Sequence, residues 1–159
     1  MLMLLRLFSV FALMAGLAGW AGPTAAQTRS TDATRPRAAL VAPGSWMAQG
    51  LSALGSSANR NFISNAGFVV TSAGVVVIDA LGSPELAREL RAEIARVTPL
   101  PVTHVIVTHY HADHIYGLQV FKEEGAVVVA HRQALLYLNS DTAQHRLAAS
   151  REEVFPWVD

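Results

Sequence analysis

The stretch VTHVIVTHYHADH occupies residues 102–114. Its first part, Val102 to Val107, is dominated by β-branched apolar residues and predicts a short buried strand. A second such run, AVVVA, follows at Ala126 to Ala130. Between them Ile115, Leu118 and Phe121 recur at helical spacing, and Gly125 stops the run. Strand, loop, helix and strand of this length make a βαβ unit, which predicts two parallel strands buried on both faces. Parallel sheets gather ligands at the carboxyl ends of their strands. The loop after Val107 is therefore where chemistry is expected.

Working outward, Phe62 to Val70 and Val75 to Ile78 are β-branched-rich runs separated by Thr71-Ser72-Ala73-Gly74, the pattern of a hairpin. Ser83-Pro84 then supplies a cap and a proline for the first helical position, with Leu86, Leu90, Ile94 and Val97 on one face and Thr98-Pro99 as the stop. The alternation of strand and helix predicts an α/β fold with a mixed sheet.

The chain has 159 residues, enough for one domain, and 52% of them are hydrophobic. Twelve basic residues balance 12 acidic ones, so charge gives no support to nucleic-acid binding. Apolar residues crowd the front. Arg6, an apolar run from Leu7 to Ala21 and then Pro23-Thr24-Ala25-Ala26 follow the order of a cleavable secretory signal. The run is shorter than the ~20 residues that span a bilayer, although a retained anchor is the alternative. The expected organisation is a signal peptide over 1–26, cleaved after Ala26, a flexible arm over 27–42, and a domain over 43–159. A periplasmic or secreted protein is expected, with no membrane contact after leader cleavage. No internal repeat is visible.

With no cysteine in the chain, any metal must be held by His, Asp or Glu. Residues 109–114, HYHADH, place His109, His111, Asp113 and His114 within one turn of loop, a donor set of the nitrogen and oxygen type that zinc accepts. His109 and His111 can share one ion, and Asp113 and His114 can turn to a second. Each also has an ordinary reading: Asp113 as the cap of the helix beginning near His114, and His109 and His111 as loop residues bonded to backbone carbonyls. His104 reads as a packed or strand-end residue, His131 as the start of a helical segment over Arg132 to Leu138, and His145 as solvated. Phe155 and Trp157 read as core or wall.

TSAGVVVIDA (71–80), a helix, and then THVIVTHYHADH (103–114) resemble the first half of the metallo-β-lactamase superfamily, the αβ/βα sandwich of metallo-hydrolases. The resemblance implies zinc, as one or two ions. His109 and His111 would bind the first, and Asp113 and His114 the second. Asp113 would also act catalytically, orienting the nucleophile and taking up its proton. Asp79, at the end of the strand after the first hairpin, would support the loop or a ligand histidine, although a plain strand-end turn is an equal reading. Zinc makes hydroxide available near neutral pH, which would attack an ester, thioester, lactone or amide-like bond of a small-molecule substrate. His114 points towards glyoxalase-II-like branches, whereas Ile115-Tyr116-Gly117 departs from the family's frequent double glycine. With the export signal, DHIYGLQVF resembles a periplasmic subgroup associated with quinoprotein or sulfur-oxidation systems.

In that family the metal site is completed from the second half of the fold. The expectation is therefore an amino-terminal fragment of a zinc hydrolase. The alternatives are a half-domain that pairs with a complementing chain, and a non-catalytic periplasmic metal-binding or assembly module.

Overall fold

A computed structural model describes residues 32–153. Their centre is a mixed sheet whose strands lie in sequence order. Strands β1 (Ala38–Ala42), β2 (Ser45–Ala48), β3 (Ala66–Thr71) and β4 (Gly74–Ile78) form an antiparallel meander. Strand β5 (Val102–Ile106) then pairs parallel to β4, and β6 (Val127–Val129) parallel to β5. The sheet switches from antiparallel to parallel where the chain first inserts a helix, α1 (Pro84–Val97), between neighbouring strands. Helices α2 (Ala112–Ile115) and α3 (Leu118–Glu123) make the second crossover, and α4 (Ala134–Leu138) and α5 (Asp141–Glu153) follow β6.

Local chemistry sets these boundaries. The β3–β4 turn closes on Thr71, whose hydroxyl donates to the Gly74 carbonyl at 2.7 Å and accepts from the Ala73 N–H at 3.2 Å. Gly74 holds a φ of +135°, and a Cβ there would lie 2.5 Å from Thr103 Cγ2, so only glycine lets β4 start beside β5. Ser83 caps α1 by accepting from the Leu86 N–H at 3.2 Å, with Pro84 at the first helical position as the sequence predicts. Leu86, Leu90 and Ile94 are fully buried against Phe68, Val75, Val77 and Val105, and Val120 and Phe121 of α3 close the same side.

Five expectations need correction. The arm assigned to 27–42 is a strand from residue 38. Ala38 to Ala42 pair with β2, while Glu93 of α1 accepts from the Ala38 N–H and from the Arg37 guanidinium, both at 3.1 Å. The run predicted as a strand from Phe62 begins only at Ala66, and Phe62 is instead buried in the preceding loop. Val97, expected on the buried face of α1, is 37% exposed because the helix ends there, past the sheet. Strands β5 and β6 are not buried on both faces: all the core packs on one side, leaving His104, Ile106, Val127 and Val129 open on the other. His104 is thus exposed, not packed, with its Nδ1 3.0 Å from the Thr103 hydroxyl. The expected leader, and Phe155 and Trp157, lie outside the described residues.

Candidate metal centre

Strands β4 and β5 run parallel and end side by side, so the residues that follow them meet. Asp79 follows β4 and Thr108 to His111 follow β5. The Asp79 N–H donates to the Ile106 carbonyl at 2.9 Å, extending the ladder by one bond before the chain turns away with Asp79 at φ +61°. Asp is among the few residues that adopt this left-handed conformation at modest cost. Returning from α2, the His114 carbonyl accepts from the Ala80 N–H at 2.8 Å. Gly117 then fits where a Cβ would lie 2.0 Å from the Ala80 carbonyl oxygen and 2.6 Å from Ala87 Cβ. Gly117 therefore lets the cluster sit directly on the start of α1.

Asp79 is 4% exposed, and its carboxylate is fully engaged. It accepts from the Thr108 N–H at 2.8 Å, from the Thr108 hydroxyl at 2.6 Å, and from His114 Nδ1 at 2.8 Å. Because a carboxylate only accepts, Nδ1 of His114 carries a hydrogen, and in the neutral imidazole Nε2 presents the lone pair. The same logic reaches His109. The Thr108 hydroxyl spends its hydrogen on Asp79, so His109 Nδ1, 3.0 Å from that oxygen, is the donor and its Nε2 is the free acceptor. One buried carboxylate thus fixes the tautomer of two imidazoles, each leaving the nitrogen that a metal requires. Asp79 therefore bonds both the loop after β5 and a histidine of the cluster, which is more than a plain turn carboxylate does.

The rings themselves are close. The centroid of His109 lies 4.7 Å from that of His111 and 4.0 Å from that of His114. His114 Nε2 stands 3.4 Å from the Asp113 carboxylate. Burial, and then the neighbouring His114 and His111, push the pKa of His109 down, against the opposing pull of Asp79 and Asp113, so the imidazole keeps its lone pair further into acid. The ordinary readings fare worse. His111 is the cap residue of α2 and Asp113 lies inside its first turn, where the helix has no side-chain cap bond. His131 and His145 are exposed, and His131 uses its Nδ1 to accept from the Gln133 N–H at 3.3 Å.

His109, His111, Asp113 and His114 are therefore gathered in one place, with Asp79 behind them. Among the described residues, however, no three histidine, aspartate or glutamate side chains converge as a set that can hold an ion. The donor chemistry and the two fixed tautomers suit zinc, and the shell they offer is partial. Sequence reasoning passed over Thr108, whose signal was present as a hydroxyl-bearing residue directly before the first histidine. It also passed over Ser64, whose hydroxyl donates to the Asp113 carbonyl and ties the cluster to the loop before β3.

Fold and site together define an α/β protein with a histidine–carboxylate centre at the carboxyl ends of two parallel strands. The chain belongs to the metallo-beta-lactamase superfamily, whose family model matches residues 59–158. A metallo-beta-lactamase type 2 from Bacillus cereus is 40% identical over 65 residues, 41% of this chain and 25% of that protein. A linear primary-alkylsulfatase from Pseudomonas sp. (strain ATCC 19151) is 32% identical over 54 residues, 34% of this chain and 10% of that protein. Among solved structures, a metallo-beta-lactamase from Pontibacter korlensis aligns with a TM-score of 0.57 at 20% identity, over 68% of this chain and 49% of that one. The subclass B3 metallo-beta-lactamase MEM-A1, from a soil metagenome library, aligns with a TM-score of 0.52 at 24% identity, over 69% and 38%. These two share the fold. The matched region spans about a quarter of the Bacillus cereus relative's length. The superfamily's hydrolase fold, in its amino-terminal half, is what this chain carries.

Proposed function

We propose that this chain carries the metal-binding half of an exported, zinc-dependent hydrolase acting on an ester, thioester, lactone or amide-like bond. The observation that supports it best is the Asp79–Thr108–His109/His114 network, which leaves two Nε2 lone pairs free beside His111 and Asp113. His109 and His111 would hold one ion, and Asp113 and His114 a second. When bound, zinc supplies activated water at neutral pH and draws electron density from the scissile carbonyl. The chain's own residues do the rest. Asp79 keeps His114 oriented, Thr108 passes that constraint to His109, and Asp113, 3.4 Å from His114, accepts and moves a proton.

The partial shell favours a second reading in which the cluster captures a cation without turning over substrate. Zinc content after dialysis of the full chain, together with turnover of a thioester, a lactone and a β-lactam, separates the two. Weak zinc binding and slow turnover of at least one of the three substrates, both abolished by His109→Ala and His111→Ala, are the expected result, whereas zinc binding with no turnover supports cation capture. Zinc retention that ignores both substitutions would refute the ligand assignment.

A further inference from the structure

A second feature adjoins the histidine cluster. A cavity of about 670 Å³ opens between the ends of β5 and β6 and helices α4 and α5, and His109 forms part of its wall. That volume is in the range of small-molecule sites. Tyr110, between the two first histidines, lies against Tyr137 of α4 with ring centroids 4.3 Å apart and planes inclined by 34°. The pair forms a broad aromatic wall one residue from the proposed metal ligands. Burial raises the pKa of the Tyr137 hydroxyl, so that hydroxyl stays neutral.

Arg146 of α5 lines the same cavity and lies near enough to Tyr137 to act on it electrostatically. Arg35, Arg37, Arg60, Arg91 and Arg96 each hold a glutamate. Arg88, Arg132 and Arg146 hold none among the described residues, and of these Arg146 lines the cavity, where no carboxylate accompanies it. A guanidinium facing a pocket that offers no anion is matched by an anion on the ligand, which its planar fork can take through two parallel hydrogen bonds. A flat apolar body beside that anion would bury itself on Tyr110 and Tyr137.

We infer that this cavity is a substrate subsite for an organic anion with an aromatic or flat apolar body, in which Tyr110 and Tyr137 hold the body and Arg146 the anionic group. The inference rests on the hydrolase reading for its link to catalysis, because a ligand seated here has one end at His109. As a binding site it stands on the cavity alone.

The test is isothermal titration of the full chain, free of metal, with 1-naphthoate, 1-naphthalenesulfonate and neutral 1-naphthamide. At least one anion should bind roughly tenfold tighter than the amide, the two anions distinguishing carboxylate from sulfonate recognition, and the His109 imidazole signals should shift on binding. Arg146→Gln, on an exposed helical position, should reduce the anions to the level of the amide. Tyr137→Leu should weaken all three ligands. Equal affinity for anion and amide, no saturable binding of any, or an Arg146→Gln protein that still prefers the anion would overturn the subsite. A chain that shows the anion preference yet never binds zinc supports the subsite and removes the hydrolase reading. One that binds zinc without the preference does the reverse.

Discussion

Replacing Asp79 with asparagine tests the physical core of the site. Asparagine has the same shape and tolerates the left-handed backbone at φ +61°, so the substitution alters chemistry and not chain path. Its carbonyl can still accept from the Thr108 N–H, which bonds Oδ1 at 2.8 Å. Its amide would replace Oδ2, which now accepts at 2.6 Å from the Thr108 hydroxyl and at 2.8 Å from His114 Nδ1. Two donors would then face a donor. Hydrogen bonds to a charged group contribute about 1.5–3 kcal/mol each. Removing a buried carboxylate also relieves a desolvation cost of several kcal/mol. The net loss of stability should therefore be only about 1–3 kcal/mol, read as a lower urea midpoint. The larger effect is electronic. To accept from the new amide, His114 must put its hydrogen on Nε2, the nitrogen proposed to hold the metal. Zinc affinity, measured by competition with a chromogenic chelator, should fall about 10–100-fold, the range for losing the partner of a ligand histidine. Long-range nitrogen–proton NMR should show the His114 tautomer reversed. An Asp79→Asn protein with the original tautomer and zinc affinity within about twofold of the parent would refute the reasoning.

Other substitutions probe the scaffold. Ser83→Ala removes the cap bond at 3.2 Å and should lower stability by about 1 kcal/mol in urea unfolding. Phe121→Ala empties a fully buried position between α3 and the sheet and should cost about 3–5 kcal/mol by the same measurement. Gly117→Ala forces a methyl against the Ala80 carbonyl, a backbone atom that cannot step aside, so it should cost about 1–3 kcal/mol or more and disturb the His109, His111 and His114 NMR signals together. In metal-free protein, His109 should titrate below an ordinary imidazole. The unfolded chain then binds the proton more readily, so this contribution to stability is complete above the ordinary imidazole pKa and is lost as pH falls below it. Replacing His114 with glutamine should move the His109 midpoint back upward, because one repelling charge is gone. An unchanged midpoint would show that burial and His111 set it without His114.

Much of this was legible because it is local. Ser83-Pro84 announced α1, Gly74 the hairpin, and HYHADH the cluster, each through chemistry confined to a few neighbouring residues. The parallel pairing of β5 and β6 also followed, since the intervening helix leaves little choice. What the sequence hid depends on contacts distant along the chain. Ala38 to Ala42 lacks an alternating pattern, and its strand exists because β2 and Glu93 of α1 receive its backbone. Thr108 looks ordinary until Asp79, 29 residues earlier, is seen beneath it. Tyr110 and Tyr137 come from separate loop and helix positions, and no periodicity relates them. The open sheet face could not be read from Ile106, Val127 and Val129 either, because apolar runs look alike whether one side or both are covered.

The strand at Ala38 to Ala42 has a practical side. It forms the outer border of the sheet and gives β2 its hydrogen-bonding neighbour. A protein trimmed to begin at Pro43, where composition alone would place the cut, would present the backbone of Trp46 and Met47 as a bare edge, a template for strand addition by other molecules. Keeping residues from 32 onward shields that edge and retains the Arg37–Glu93 clasp that pins it to the helix layer. Among the described residues the border of the sheet then falls on β1 and not on β2, an arrangement that leaves the chemistry at the far end of the strands untouched.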